Sequence, residues 1–206
     1  MNSERIKALA EEIAKEDIVV DIGCDHGYLC IYLKQNDLCK EVYASDISKN
    51  ALNSAINNFK KYNLKIKSFV SDGFSNITEK YNTAVIAGMG TNTILKIIND
   101  KKTPEKLVIS SNNEHYKLRK KINEMGYKII NEKIVLESNH YYVILTLIKG
   151  SQKLTINQMK FGVSNDKKYY TYLLEKRKKI IKKVPLIKRI KLYYECLILK
   201  GLIEKK

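Results

Sequence analysis

Apolar positions along this chain of 206 residues switch repeatedly between a helical and a strand-like period. Ile6, Leu9, Ala10 and Ile13 recur three and four apart, predicting a helix over residues 3–16 with Ser3 as N-cap. Ile18 to Ile22 reads as a strand, and Tyr28 to Lys34 as the helix after it. A second strand, Val42 to Asp46, ends in an acid; Ser48 then caps a helix to about Tyr62, with Leu52, Ile56 and Phe59 on one face. Ile66 to Val70 is a third strand, followed by Ser71-Asp72-Gly73. Thr83 to Ala87 is a fourth, apolar enough to be covered on both faces and broken by Gly88-Met89-Gly90. Asn92 to Asn99 is helical, Leu107 to Ile109 a fifth strand, and a helix from about Glu114 stops at Gly126, where a C′ glycine belongs.

The alternation then ends. Tyr127 to Leu136 and Tyr141 to Ile148 are two long β-rich runs with no helix between them, which predicts an antiparallel hairpin. Five alternating β/α units closed by a hairpin predict an α/β fold: a Rossmann-like, mostly parallel sheet in the arrangement of class I methyltransferases. Gly150-Ser151-Gln152 marks a boundary, giving a cofactor-binding catalytic domain over 1–150 and an appendage over 151–206. The appendage carries helical runs at 166–183 and 187–203, separated at Pro185. Ile180, Val184, Ile187, Ile190, Tyr194 and Leu197 are spaced as a coiled-coil-like seam, predicting a helical hairpin packed along it.

Charge changes the picture of the second region. Of the net +16, residues 151–206 contribute +12, from 16 basic against 4 acidic residues. A basic appendage on a near-neutral domain points to a polyanion, most simply nucleic acid, although a lysine-rich composition across the chain would also produce it. No apolar run has the length of a membrane span, and no signal-peptide pattern opens the sequence. The expectation is a cytoplasmic protein with no membrane partner, working as a monomer. Cys24, Cys30, Cys39 and Cys196 form no C-x-x-C pair, so reduced thiols and no metal site are expected.

The candidate chemistry centres on Asp21-Ile22-Gly23-Cys24-Asp25-His26-Gly27. A strand feeding a glycine turn into a helix is the cofactor-cradling corner of a Rossmann-like sheet. Gly23 suits close backbone approach or positive φ, and Gly27 close helix–strand packing. The motif is not the dinucleotide G-x-G-x-x-G, and an acid before the first glycine suits a cofactor bearing cationic groups, such as S-adenosylmethionine. Asp46, 23 residues beyond Gly23, is placed to grip ribose hydroxyls, or else to cap the next helix. Asp72 would accept from an adenine amino group with Gly73 keeping the loop tight, or is a turn aspartate. Asp25 would face the reacting methyl, or cap the following helix. Asn112, after the fifth strand, could meet a base edge or be a turn residue.

Together these stretches resemble the bacterial tRNA (adenine-22-N1)-methyltransferase family. The likeness is carried by Asp21 to Leu29, Ala44 to Ile47, Ser71 to Gly73, Ile86 to Gly90, Leu107 to Ile109 and the Asn112 loop. Ser110-Ser111 stands where such proteins commonly have Q-P, Thr91 where they have a glycine, and Cys30 where proline is frequent. The resemblance implies S-adenosylmethionine as cofactor, tRNA as partner, and a catalytic role for Asp25, which Asn112 is expected to assist. The cofactor site is expected at Asp21, Gly23, Cys24, His26, Asp46, Ile47, Asp72, Gly73, Gly88 and Met89. RNA contacts are expected at Arg5 and at Lys176, Arg177, Lys178, Lys179, Lys182, Lys183, Lys188, Arg189 and Lys191. Two alternatives stay open: a methyltransferase with another RNA or protein acceptor, and a non-catalytic RNA-binding protein on the same fold.

Overall fold

Strand β1 (Ile18–Ile22) lies between β2 (Glu41–Asp46) and β4 (Thr83–Met89) in a seven-stranded sheet of order β3-β2-β1-β4-β5-β7-β6. The computed structural model describes residues 3–204, and the chain divides into two compact units between Gln152 and Lys153. In the first unit β1 to β5, with β3 at Ser68–Val70 and β5 at Lys106–Ser111, run parallel. The hairpin β6 (Tyr127–Glu137) and β7 (His140–Lys149) closes the sheet, β7 running antiparallel to β5. Val19 and Val20 of β1 are both fully buried, so the sheet is covered on both faces, as its apolar parallel strands require.

Five helices accompany the sheet: α1 (Glu4–Ala10), α2 (Tyr28–Gln35), α3 (Lys49–Lys61), α4 (Thr91–Ile98) and α5 (His115–Glu124). Ser3 and Ser48 cap α1 and α3 by accepting from Ile6 N and Ala51 N. Helix α1 ends at Ala10, short of the expected end at residue 16. Two acids account for this: Glu12 turns to Thr146 Oγ1 at 2.6 Å and to Asn131, and Asp17 Oδ2 accepts from Ala14 N at 2.8 Å. Strand β4 also departs from expectation, because it continues through Gly88 to Met89 with an irregularity against β5.

The glycine turn is closely packed at Gly27. Gly27 has φ +70, and a Cβ there would stand 2.4 Å from Phe59 Cε1 and 3.0 Å from Ala55 Cβ. Its close approach is therefore to helix α3, rather than to a strand as the sequence suggested. Gly27→Ala is expected to cost about 2 kcal/mol, from left-handed strain on a residue with a Cβ plus displacement of the buried Phe59 ring. Urea denaturation measures this, and a loss below about 0.5 kcal/mol would show that α3 yields freely.

The second unit contains α6 (Ile156–Phe161), α7 (Lys167–Ile181) and α8 (Leu186–Glu204). Helix α6 has no counterpart in the hydrophobic pattern, yet it opens on a full capping box: Thr155 Oγ1 accepts from Gln158 N, and Gln158 Oε1 from Thr155 N. The predicted seam is overturned. Ile187, Ile190, Tyr194 and Leu197 are exposed, Ile187 by 84%, and Ile180 is exposed too. The buried apolar positions are instead Phe161, Tyr169, Tyr170, Leu174, Ile181, Cys196 and Leu199. A buried carboxylate sets this rotation of α8: Glu195 takes Lys160 Nζ and Arg177 Nε, each at 2.8 Å, which turns the Glu195–Cys196–Leu199 face inward.

Candidate functional site

Three left-handed residues shape the turn after β1: Gly23 (φ +74), Asp25 (φ +48) and Gly27. Gly23 N and Cys24 N both donate to Ser45 O, at 2.8 and 3.0 Å, and Asp25 N donates to Asp46 Oδ2 at 3.1 Å. The turn is thus tied to the end of β2. Gly27 occupies the N-cap position of α2 with no side-chain cap, so Asp25 does not serve as a helix cap. Its carboxylate stands out at the surface, 3.6 Å from His26 Nε2. A Cβ on Gly23 would stand 2.0 Å from Met89 Cε, the end of a flexible side chain that would have to move, and the positive φ strains any other residue there.

A cavity of about 1000 Å³ opens at the carboxyl ends of β1 to β4. Every residue expected at the cofactor site lines it, namely Asp21, Gly23, Cys24, His26, Asp46, Ile47, Asp72, Gly73, Gly88 and Met89, and Asp25 lines it as well. Asp21 is buried, and burial together with the charge of Asp46 pushes its carboxyl up to about 7, against the pull of the Cys30 thiol and Arg5. Cys30 Sγ donates to Asp21 Oδ2 at 3.6 Å. Burial raises the Cys24 thiol strongly, leaving it a neutral wall. Asp46 accepts from Ser48 N at 2.8 Å through Oδ1 and from Asp25 N through Oδ2, which fixes both oxygens while leaving lone pairs toward the cavity. Ile47 offers an exposed apolar surface, and Asp72 pairs with Lys96 Nζ at 3.4 Å.

These acceptors fit S-adenosylmethionine. A buried carboxylate with a raised pKa gains from a cationic partner, a fixed strand-end acid suits ribose hydroxyls, and an apolar side chain beside a surface acid suits adenine. Lys96, Asn92, Thr93 and Glu137 also line the cavity and went unmarked in the sequence. The first three sit in the first two turns of α4, directly after the glycine break, a position that could have drawn attention. Glu137 comes from the far hairpin and carries no local signal.

Two expected positions have contacts of their own. Asn112 does not line the cavity; its Nδ2 donates to Gly88 O at 2.7 Å, and Asn112 N donates to Met89 O at 2.9 Å, so it secures the β4 bulge. Arg5 does line the cavity, its guanidinium stacked over Tyr142 at 4.8 Å to the ring centroid. In the second unit, Arg177 is used internally by Glu195 and by the Phe161 ring, and Arg189 Nε donates to Val184 O at 2.8 Å. Lys178 pairs with Glu175, whereas Lys176, Lys179, Lys182, Lys183, Lys188 and Lys191 are exposed. All four cysteines are free, and among the described residues no cluster is arranged to hold a metal and no helix is long and apolar enough to cross a membrane.

Residues 2–145 match the model of the methyltransferase domain family. With the sheet and cavity above, this defines a class I S-adenosylmethionine-dependent methyltransferase. A Mycoplasma genitalium protein named as a tRNA methyltransferase is 39% identical over 144 residues, 67% of this chain and 66% of that protein. The tRNA (adenine(22)-N(1))-methyltransferase of Bacillus subtilis is 30% identical over 157 residues, 73% of this chain and 66% of that one. The chain thus spans slightly under two thirds of the length of each. The solved structure of M. capricolum TrmK with S-adenosylhomocysteine superposes with a TM-score of 0.85 at 30% identity, covering 99% of this chain and 98% of that one. The chain belongs to the bacterial tRNA (adenine-22-N1)-methyltransferase family.

Proposed function

We propose that the protein transfers the methyl group of S-adenosylmethionine to N1 of adenine-22 in tRNA. The observation that carries this reading is the single cavity wall on which Asp21, Asp46, Asp72 and the Gly23–Gly88 backbone converge, with Asp25 at the surface beside them. When bound, the cofactor would supply an electrophilic methyl on a sulfonium; its transfer to the adenine N1 lone pair would break the S–CH3 bond, leave S-adenosylhomocysteine and need no base. Asp21 holds the cationic end and Asp46 the ribose. Asp72 and Ile47 hold the adenine of the cofactor. Asp25 accepts a hydrogen bond from the exocyclic amine of the target base and stabilises the positive charge that develops on its ring. Asn112 acts through Gly88 and is a positioning residue. In residues 151–206 the exposed lysines at 176, 179, 182, 183, 188 and 191 contact phosphates. With tRNA as its acceptor, the protein is read as working in the cytoplasm.

The test is methyl incorporation from labelled S-adenosylmethionine into an unmodified tRNA transcript and into one with guanine in place of adenine-22. Signal on the first alone supports reaction and site. Equal signal on both keeps the methyltransferase and discards the site. Asp25→Asn is expected to lower the rate on the first transcript about 10²-fold with cofactor affinity unchanged. An unchanged rate removes Asp25 from the mechanism.

A further inference from the structure

Helix α8 turns an apolar seam outward. Ile187, Ile190, Tyr194 and Leu197 stand three, four and three apart and are all exposed, and Leu186 and Tyr193 beside them are exposed too. Gly201 continues the stripe four residues on, so it runs about 21 Å along the helix. The six side chains open on the order of 800 Å² of surface, more than the roughly 300–600 Å² of a typical monomer's largest patch. The opposite face of α8, with Glu195, Cys196 and Leu199 buried, is the one joined to α7 through Arg177. Gly201 adds an independent observation. A glycine inside a helix costs up to about 1 kcal/mol against alanine. Among the described residues nothing stands within 4 Å of a Cβ built on Gly201, so no contact within the chain asks for its small size. A second helix crossing the seam does.

The character of the stripe selects its occupant. Four of the six side chains are aliphatic and offer no ring for a base to stack on, whereas nucleic-acid contacts are polar and strongly cationic. Isoleucine and leucine spaced three and four apart are what a facing helix packs into. Charge sets the direction. Exposed Lys188 and Lys191 lie near the start of α8, and Glu204, its one exposed acid among the described residues, lies at its end. Two copies of α8 running antiparallel bring each Glu204 toward the lysines of the other and oppose the helix dipoles, while a parallel pair sets lysine against lysine. Two seams face to face bury about 1,000–1,600 Å², enough for a specific dimer and short of an obligate one. The pairing is two-fold, so it closes at two copies.

We propose that the outward face of α8 pairs antiparallel with that of a second copy of this chain, giving a reversible homodimer in place of the monomer expected from sequence. The appendage carries a net +12, so the dimer tightens as salt screens the repulsion between copies, the reverse of nucleic-acid binding.

The test is sedimentation velocity of the full chain from about 5 to about 500 µM, at about 0.1 and about 0.5 M salt. The charge-neutral double variant Ile190→Gln, Leu197→Gln is run beside it. Wild type is expected to move from the monomer mass toward twice that mass as concentration rises, and further at the higher salt. The variant should raise the dissociation constant at least about 10²-fold, with its helical circular dichroism and its tRNA affinity kept. Wild type that stays monomeric throughout overturns the proposal and needs no variant. So does a dimer that loosens as salt rises, which is held by charge, and a dimer that the variant forms equally well, which uses another surface. Loss of tRNA affinity in the variant, with wild type monomeric, assigns the stripe to nucleic acid instead.

Discussion

Replacing Asp21 with asparagine is expected to weaken cofactor binding by at least about 10²-fold and, in the same protein, to stabilise the ligand-free chain near pH 8. The two effects share one cause. Burial and the charge of Asp46 raise the Asp21 carboxyl to about 7 in the folded protein, far above its value in an unfolded chain. Between about pH 4 and about pH 7 the native state therefore keeps a proton that the unfolded state has released. Stability falls as the pH rises through that window, and above it the full penalty is present, on the order of 4 kcal/mol. Asparagine fills the same space, still accepts from the Cys30 thiol, and has no charge to bury. Cofactor binding runs the other way, because a cationic ligand needs the ionised carboxylate. Wild-type affinity should fall about tenfold per pH unit below about 7, while D21N should be flat. Thermal unfolding and calorimetric titration across this range measure both. D21N that melts below wild type at about pH 8, or that binds the cofactor equally well, would show that Asp21 is not held as described.

Much of this site was legible because its signals are local. Gly23 and Gly27 bracket a turn that few other residues can adopt, and Asp46 and Asp72 each end a strand, so their shared edge follows from the α/β alternation alone. Less legible are the positions where a side chain answers to something distant in sequence. Asn112 reads as a loop residue near a base or in a turn, and only the β4 bulge brings the Gly88 carbonyl within its reach. Arg5 reads as one more basic residue near the start of the chain, and only the return of β6 and β7 brings Glu137 and Tyr142 to it. The spacing of Ile180, Ile187, Ile190 and Tyr194 is a fair coiled-coil pattern, but the buried Glu195 with Lys160 and Arg177 settles which face of α8 turns inward. Periodicity measures only apolar residues, so a charged residue that organises a core escapes it.

The largest stability effect is expected from a second such charge. Arg119 of α5 and Glu132 of β6 are almost wholly buried and meet as a fork, Nε to Oε2 at 3.1 Å and Nη2 to Oε1 at 2.6 Å. A bulge makes the meeting possible. Ile129 pairs with Leu147 and Asn131 with Thr146, so Ile130 is the extra residue, and Glu132 is brought onto the face shared by Ile129, Leu145 and Leu147. Without the bulge that face would carry Asn131. Glu132→Ala should cost about 3–5 kcal/mol, because the guanidinium left behind stays buried with its main anionic partner gone. Arg119→Met with Glu132→Leu should recover most of that loss, since removing both charges removes the desolvation cost together with the attraction. Denaturant unfolding of the two single variants and the double closes the cycle. If E132A stays within about 1 kcal/mol of wild type, Arg119 has reached water by another route and the pair does not hold α5 to the sheet. If the double variant is no better than the singles, the fork is needed for its geometry, and the bulge at Ile130 depends on the pair it serves.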